Sequence, residues 1–150
     1  MLINLLKDYL QPIFGKNNWV LSGEGGLHVA HGTNPSLDFA IISRKALSLN
    51  EAQNKYLAIP PEVVIEVDTK ADFDALPYSA QSYYMNKTQV LLDFGVKEVV
   101  WIYTEHKKVV IAKANQAWLT VNWTDEIEIM GHRFSLQKMI DSFEHDHEQA

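Results

Sequence analysis

The hydrophobic positions of the first half of the chain follow two periods. Apolar residues recur at helical spacing over residues 2–10 and are then interrupted at Pro12, which predicts an amphipathic N-terminal helix. Two apolar segments, residues 19–21 and 27–30, flank a glycine-rich stretch and predict two strands joined by a turn. Residues 37–43 are apolar at nearly every position, which is typical of a strand that is buried on both faces.

The second half of the chain predicts further strands and two helices. Residues 44–57 are polar and predict a short helix, and Pro60-Pro61 favours an extended approach to a strand. Gly95 stands where the capping glycine of a preceding helix belongs, and Ser135 stands where a helix begins. The predicted elements are strand 62–68, helix 78–94, strands 98–104 and 109–114 around a tight turn, a hairpin of 117–122 with 126–130, and helix 136–143.

The strand at residues 63–68 carries two acids among its valines and isoleucine. Because side chains alternate between the two faces of a strand, Val63, Ile65 and Val67 point one way, and Glu66 and Asp68 point the other. A further acid, Asp38, lies in the apolar segment 37–43. Neighbouring carboxylates on an apolar strand are rare without a cation to hold them. The pattern indicates a divalent-metal site with a lysine nearby.

The predicted helix 78–94 places one lysine close to these acids. At about 100° per residue, Lys87 falls beside Leu91 and Phe94, on the edge of the apolar stripe. Asn86, Gln89 and Asp93 fall on the opposite, solvent side. We therefore expect Lys87 to lean toward the core boundary, from where it can reach the sheet that carries Glu66.

Composition narrows the class of protein. The 150 residues suit a single domain over 1–150, and the absence of cysteine excludes disulfides and thiolate metal sites and favours a cytoplasmic location. No apolar run approaches the ~20 residues that span a bilayer, so no membrane role is expected. The net charge of −6, from 13 basic and 19 acidic residues, means that a nucleic-acid role needs a local basic patch, a dimer groove or a bound metal.

The order of several motifs resembles a known family. The segments are Pro35-Ser36-Leu37-Asp38, then residues 60–67 (Pro-Pro-Glu-Val-Val-Ile-Glu-Val), then Lys87, then residues 95–101 (Gly-Val-Lys-Glu-Val-Val-Trp). This order resembles the Uma-two family of proposed bacterial endonucleases, within the PD-(D/E)XK nuclease superfamily, over residues 27–103. The resemblance implies an α+β (α/β) fold with a restriction-endonuclease-like core, in which helices flank a central mixed β-sheet.

The resemblance also implies site residues. Asp38 matches the family's proline–aspartate acid and Glu66 its second acid, while Lys87 matches a lysine moved onto the following helix. The sequence departs from the pattern because Leu37 precedes the first acid and because Tyr103 stands near a common aspartate. Residues 68–70 (Asp-Thr-Lys) also spell the superfamily's D-x-K, so Lys70 is an alternative to the favoured Lys87.

The chemistry that the resemblance implies is metal-dependent endonuclease activity. Asp38 and Glu66, aided by Asp68, would ligate Mg²⁺ or Mn²⁺, and the lysine would orient or deprotonate the attacking water. The expected substrate is DNA, cleaved at its phosphodiester bonds, and a homodimer is possible because a duplex has two strands.

Two other readings stay open at this point. A catalytically degenerate protein of the same fold would act as a binding or regulatory module. A plain α+β interaction domain would use the same acids in salt bridges. His28 and His31, three positions apart, would face opposite sides of a strand, so a shared metal there is not expected.

Overall fold

A computed structural model describes residues 1–23, 27–29, 36–52, 56–68 and 80–149. Over these residues the helices are α1 (Leu2–Phe14), α2 (Leu49–Ala52), α3 (Ala80–Phe94) and α4 (Leu136–Gln149). The strands are β1 (Asn18–Ser22), β2 (His28–Val29), β3 (Phe39–Ser43), β4 (Tyr56–Leu57), β5 (Val63–Asp68), β6 (Glu98–Tyr103), β7 (Lys108–Lys113), β8 (Leu119–Asn122), β9 (Glu126–Ile129) and β10 (His132–Ser135).

A six-stranded mixed sheet forms the centre of the molecule, in the order β1-β3-β5-β6-β7-β8. β5 and β6 run parallel, and the other neighbouring strands run antiparallel. The parallel pair requires a crossover, which α3 supplies between them. Helices lie on the faces of this sheet, so the predicted α+β fold with a central mixed sheet and flanking helices is confirmed.

The two faces of the sheet bury different sets of side chains. On one face Val63 and Ile65 of β5 pack with apolar residues of α1 and α4. On the other face Val64 packs with Leu91 and Leu92 of α3. This separation confirms the alternation predicted for β5, and it turns Glu66 and Asp68 toward the α3 face.

The end of α3 is fixed by a glycine. Gly95 has a positive φ of 116°, and its N–H donates to the carbonyl of Leu92 at 3.0 Å, while the Val96 N–H donates to Leu91 at 3.1 Å. This is the Schellman arrangement, which satisfies the last carbonyls of a helix. The predicted capping role of Gly95 is confirmed, and it leads the chain from α3 directly into β6.

Helix α1 continues through Pro12, whereas the sequence pattern indicated a break there. Proline removes one backbone donor from a helix and crowds the preceding turn. Here Leu6, Leu10 and Phe14 are buried at a spacing of four, so the packed stripe extends to both sides of the proline. Tertiary packing therefore outweighs the local cost. None of the helices in the described part of the chain is long and apolar enough to cross a membrane.

Two strand pairings differ from the prediction. β1 and β2 do not pair with each other, since β1 pairs with β3 and β2 pairs with β4. The predicted hairpin of 117–122 with 126–130 is also wrong, because β8 extends the large sheet and β9 pairs with β10. Met130 and Gly131 both have positive φ, which is the geometry of a tight two-residue hairpin turn.

Candidate active site

Strands β3 and β5 bring two acids together. Phe39 pairs with Ile65 in the antiparallel ladder, so Asp38 lies opposite Glu66 where the ladder ends. The Asp38 N–H donates to Glu66 Oε2 at 2.7 Å, and the Val67 N–H donates to Asp38 Oδ2 at 3.0 Å. Each carboxylate thus accepts a hydrogen bond from the backbone of the opposing strand, which fixes the separation and orientation of the two acids.

The backbone at Asp38 is held from its other side by the residue that follows β1. The Gly23 N–H donates to the Asp38 carbonyl at 2.7 Å. A Cβ atom at Gly23 would collide with the carbonyl oxygen of Leu37, so this close passage of two backbones requires glycine. The position of Asp38 is therefore set by both β1 and β5.

Glu66 is buried and meets a lysine from α3. Its side chain is 1% exposed, and its Oε1 atom forms an ion pair with Lys87 Nζ. The Lys87 side chain is 11% exposed, and its ammonium lies 5.8 Å from the centre of the Trp101 ring. Lys87 therefore reaches the sheet, as its position on the helix predicted, and the residue that it contacts there is Glu66.

Burial controls the ionisation of Glu66. The pKa of this carboxyl is raised from 4.5 to about 7, chiefly by loss of hydration; Lys87 opposes the shift, and the charge of the Asp38 carboxylate adds to it. The single ammonium group does not fully offset the cost of burying the charge. A Glu66 side chain with a pKa near neutrality would gain from additional positive charge at the site.

Asp68 lies on the same face of β5, beside a tyrosine. It pairs in register with Tyr103, and its carbonyl accepts hydrogen bonds from the Thr104 N–H at 3.1 Å and the Thr104 hydroxyl at 2.9 Å. Burial, and then the charge of Asp68, raise the pKa of Tyr103 to about 12. The Tyr103 hydroxyl therefore stays protonated and can donate a hydrogen bond.

A hydrogen-bonded chain steadies the turn of α3 that carries Lys87. Trp101 Nε1 donates to the Thr88 hydroxyl at 2.7 Å, and that hydroxyl donates to the Tyr84 carbonyl at 2.6 Å. The sequence alone did not indicate that Thr88 and Trp101 bond to each other. A hydroxyl within an apolar stripe, facing a strand that carries a tryptophan, was the available signal.

The donor set suits a small, hard cation. Within the described ranges no three side chains of His, Cys, Asp or Glu form a group that could hold a metal ion by themselves. Mg²⁺ is commonly held by one or two carboxylates together with waters and substrate phosphates, so Asp38 and Glu66 fit such an ion. Lys70, the alternative to the favoured Lys87, and His31 lie outside the described residues, so the assignment of the active lysine stays a prediction.

Comparisons with known proteins bear on the fold. No family model matches the chain, and no curated protein sequence matches it. Among solved structures, the chain is similar to a "putative nuclease belonging to DUF820" from Anabaena variabilis ATCC 29413, with a TM-score of 0.67 and 12% identity. The match covers 93% of this chain and 75% of the other. At this identity the similarity shows a shared, nuclease-like fold, and the PD-(D/E)XK assignment stays a prediction.

Proposed function

We propose that the protein is a metal-dependent nuclease that hydrolyses phosphodiester bonds in DNA, with Asp38, Glu66 and Lys87 at its active site. One observation carries the proposal: two strands exchange carboxylate–backbone hydrogen bonds to hold two acids together, and a buried lysine contacts the inner acid. The shared fold with a protein described as a nuclease supports the same reaction class.

Each residue would contribute a separate part of the chemistry. Asp38 is exposed and would present its carboxylate to the substrate side, while the buried Glu66 would supply the inner oxygen ligand. Lys87 neutralises Glu66 in the resting site. If a bound metal ion compensates the charge on Glu66, the Lys87 ammonium would be free to donate a hydrogen bond to a phosphate oxygen or to the attacking water.

Asp38 and Glu66 would hold the Mg²⁺ or Mn²⁺ ion, with Asp68 on the same face of β5 as a further candidate ligand. The bound ion would lower the pKa of a coordinated water and polarise the phosphate. Asp38 keeps its relation to Glu66 through backbone donors, so the residues would be arranged before any ligand arrives.

The test is Mn²⁺ and Mg²⁺ titration by calorimetry together with cleavage of plasmid and single-stranded DNA. We expect Glu66→Gln and Asp38→Asn to weaken metal binding and to reduce cleavage by at least about 100-fold, because each removes a charged ligand. Glu62→Gln is the matched control, since Glu62 lies just before β5 and also pairs with a lysine, Lys97. Metal binding by Glu66→Gln equal to that of the parent would exclude this site.

A second candidate function is a binding or regulatory module that has lost catalysis. The observation in its favour is that Glu66 already has a cationic partner, Lys87, at Oε1 and a backbone donor, the Asp38 N–H, at Oε2. Under this alternative, Mn²⁺ does not bind the parent with or without DNA, and DNA binding is unchanged in Glu66→Gln.

A further inference from the structure

A cavity of about 370 Å³ opens on the α3 face of the sheet, beyond the edge of the helix. One side of it is lined by β6 together with Val110 of β7 and Thr120 of β8, and the other side by the first half of α3. Most of its lining is apolar or aromatic, which is the character of small-ligand sites in this range of volume. The lining residues that carry the argument are Tyr84, Met85, Trp101, Tyr103, His106 and Trp118.

The aromatic rings of the cavity are arranged as a packed wall. Trp101 and Tyr103, two positions apart on β6, are stacked at 18° with their centres 6.3 Å apart. Tyr84 packs against both of them, with centres at 4.7 and 5.4 Å. Tyr84 and Trp101 are buried, and the half-buried Trp118 also lines the cavity. Flat rings of this kind are suited to stack with another flat ring.

The cavity adjoins the candidate active site. Trp101, in its wall, lies 5.8 Å from the ammonium of Lys87, which contacts Glu66. The turn after β6 contributes His106 to the lining and leads to the exposed Lys108, which pairs in register with Tyr103 and donates a hydrogen bond to Asn122 Oδ1. This turn lies next to Asp68, whose carbonyl accepts two bonds from Thr104. Aromatic rings, cations and acids thus share one end of the sheet.

We propose that this cavity binds an unpaired nucleobase of the DNA strand that the active site cleaves. The proposal rests on the proposed nuclease function and names its substrate class as single-stranded DNA or DNA with an unpaired base. The base stacks on the aromatic wall, and the exposed Lys108, the cross-strand partner of Tyr103, attracts a flanking phosphate. A stacked base is read through its ring face, so binding tolerates different sequences. Tyr103 lines the cavity, and its hydroxyl offers one hydrogen-bond donor to the base edge.

The test compares two fluorescein-labelled strands of about ten nucleotides, a thymidylate strand and an abasic strand with the same number of phosphates. Anisotropy is measured without added divalent ions, so that cleavage does not interfere. We expect the parent to bind the thymidylate strand at least about fivefold more tightly, and Trp118→Ala to remove most of the difference. Trp118→Phe keeps a flat ring at this position, so we expect it to retain most of the difference in affinity between the two strands.

The matched control is Leu119→Ala, because Leu119 is exposed and is the sequence neighbour of Trp118 but lines a different cavity. It should retain the preference for the thymidylate strand. Equal affinity of the parent for both strands, no binding to either strand, or an unchanged preference in Trp118→Ala would overturn the proposal. If Trp118→Ala does not fold, the test instead measures quenching of tryptophan fluorescence in the parent and in Trp118→Phe. We expect the thymidylate strand, and not the abasic strand, to quench the parent, and the quenching to be weaker in Trp118→Phe.

These outcomes separate the cavity from the chemistry. Base-dependent binding without cleavage at any Mg²⁺ or Mn²⁺ concentration would support the nucleobase site and contradict the proposed hydrolysis. Cleavage that depends on Glu66, combined with equal affinity for thymidylate and abasic strands, would support the proposed hydrolysis and contradict the nucleobase site.

Discussion

Two glutamates, one just before β5 and one within it, each pair with a lysine, and the two pairs differ in burial. Glu62 precedes β5 and pairs with Lys97 at 2.9 Å, with side chains that are 28% and 71% exposed. Glu66 lies within β5 and pairs with Lys87, with side chains that are 1% and 11% exposed. The residue types are identical, so the environment alone distinguishes the two pairs.

The difference shows where the molecule accepts an energetic cost. A surface pair forms with little desolvation and contributes little to stability. A buried pair must overcome the loss of hydration of both charges, and replacing it with apolar residues is often neutral or stabilising. Burial raises the pKa of Glu66 to about 7, which records that cost directly. Retaining a buried pair in an otherwise apolar face is therefore better explained by function than by stability.

The largest expected effect comes from removing one partner of the buried pair. Lys87→Met leaves the Glu66 charge without its cation, so at about pH 8 the free energy of unfolding should fall by about 3–5 kcal/mol. Chemical denaturation measures this, with Lys97→Met as the control. A loss under about 1 kcal/mol for Lys87→Met would show that the ion pair is not formed in solution.

Stability should next depend on pH through Glu66. The folded pKa of about 7 exceeds the ordinary value of 4.5, so the folded state holds the proton more tightly over that interval. Its contribution to stability is full below about pH 4.5 and is lost as the pH rises through 7, by about 3 kcal/mol. Unfolding measured across this range should show the loss in the parent and not in Glu66→Gln. Parallel pH curves for the two proteins would contradict the raised pKa.

A smaller effect is the coupling between the two partners. In a double-mutant cycle of Glu66→Gln and Lys87→Met, the combined variant should lose less stability than the sum of the single variants, by about 1–3 kcal/mol. The reason is that the double variant contains neither charge, whereas each single variant leaves one charged side chain without its partner. Additive losses would mean that the residues do not interact. A double variant as stable as the parent but unable to bind Mn²⁺ would assign the pair to function.

The smallest effect belongs to the exposed pair. Lys97→Met and Glu62→Gln should each change the free energy of unfolding by less than about 1 kcal/mol, because water already screens their charges. Added salt should reduce even this change. Thermal unfolding at low and high salt measures it, and a salt-insensitive loss above about 2 kcal/mol would contradict the comparison.

Local patterns predicted most elements of the fold, and pairing over distance was harder to predict. The alternation of β5 placed Glu66 and Asp68 on one face, and Gly95 marked the end of α3 correctly. The partners of β2 and β9 were not predictable in the same way, because a strand's neighbour depends on the whole sheet. The Met130-Gly131 turn also lacks the usual asparagine or aspartate at its first position.

The site was partly visible in the sequence. Asp38, Glu66 and Lys87 came from motif order and helical projection, and the structure brings these three together. The hydrogen bonds that join Asp38 to the backbone of β5 depend on strand register, which composition and periodicity do not give. The cavity around Trp101 was not foreseen, because it exists only where α3 leaves the far strands of the sheet uncovered.

The exchange of bonds between Asp38 and the Glu66–Val67 segment has a consequence for folding fidelity. Strands β3 and β5 are joined by a long connection, so several alignments of these two apolar segments are available to the collapsing chain. A slip of one residue would turn the acids to the wrong face and leave the buried Glu66 without the Asp38 N–H. The hydrogen bonds of the two carboxylates therefore form only in the native register of β3 and β5, so a chain that has assembled this site has also aligned these two strands.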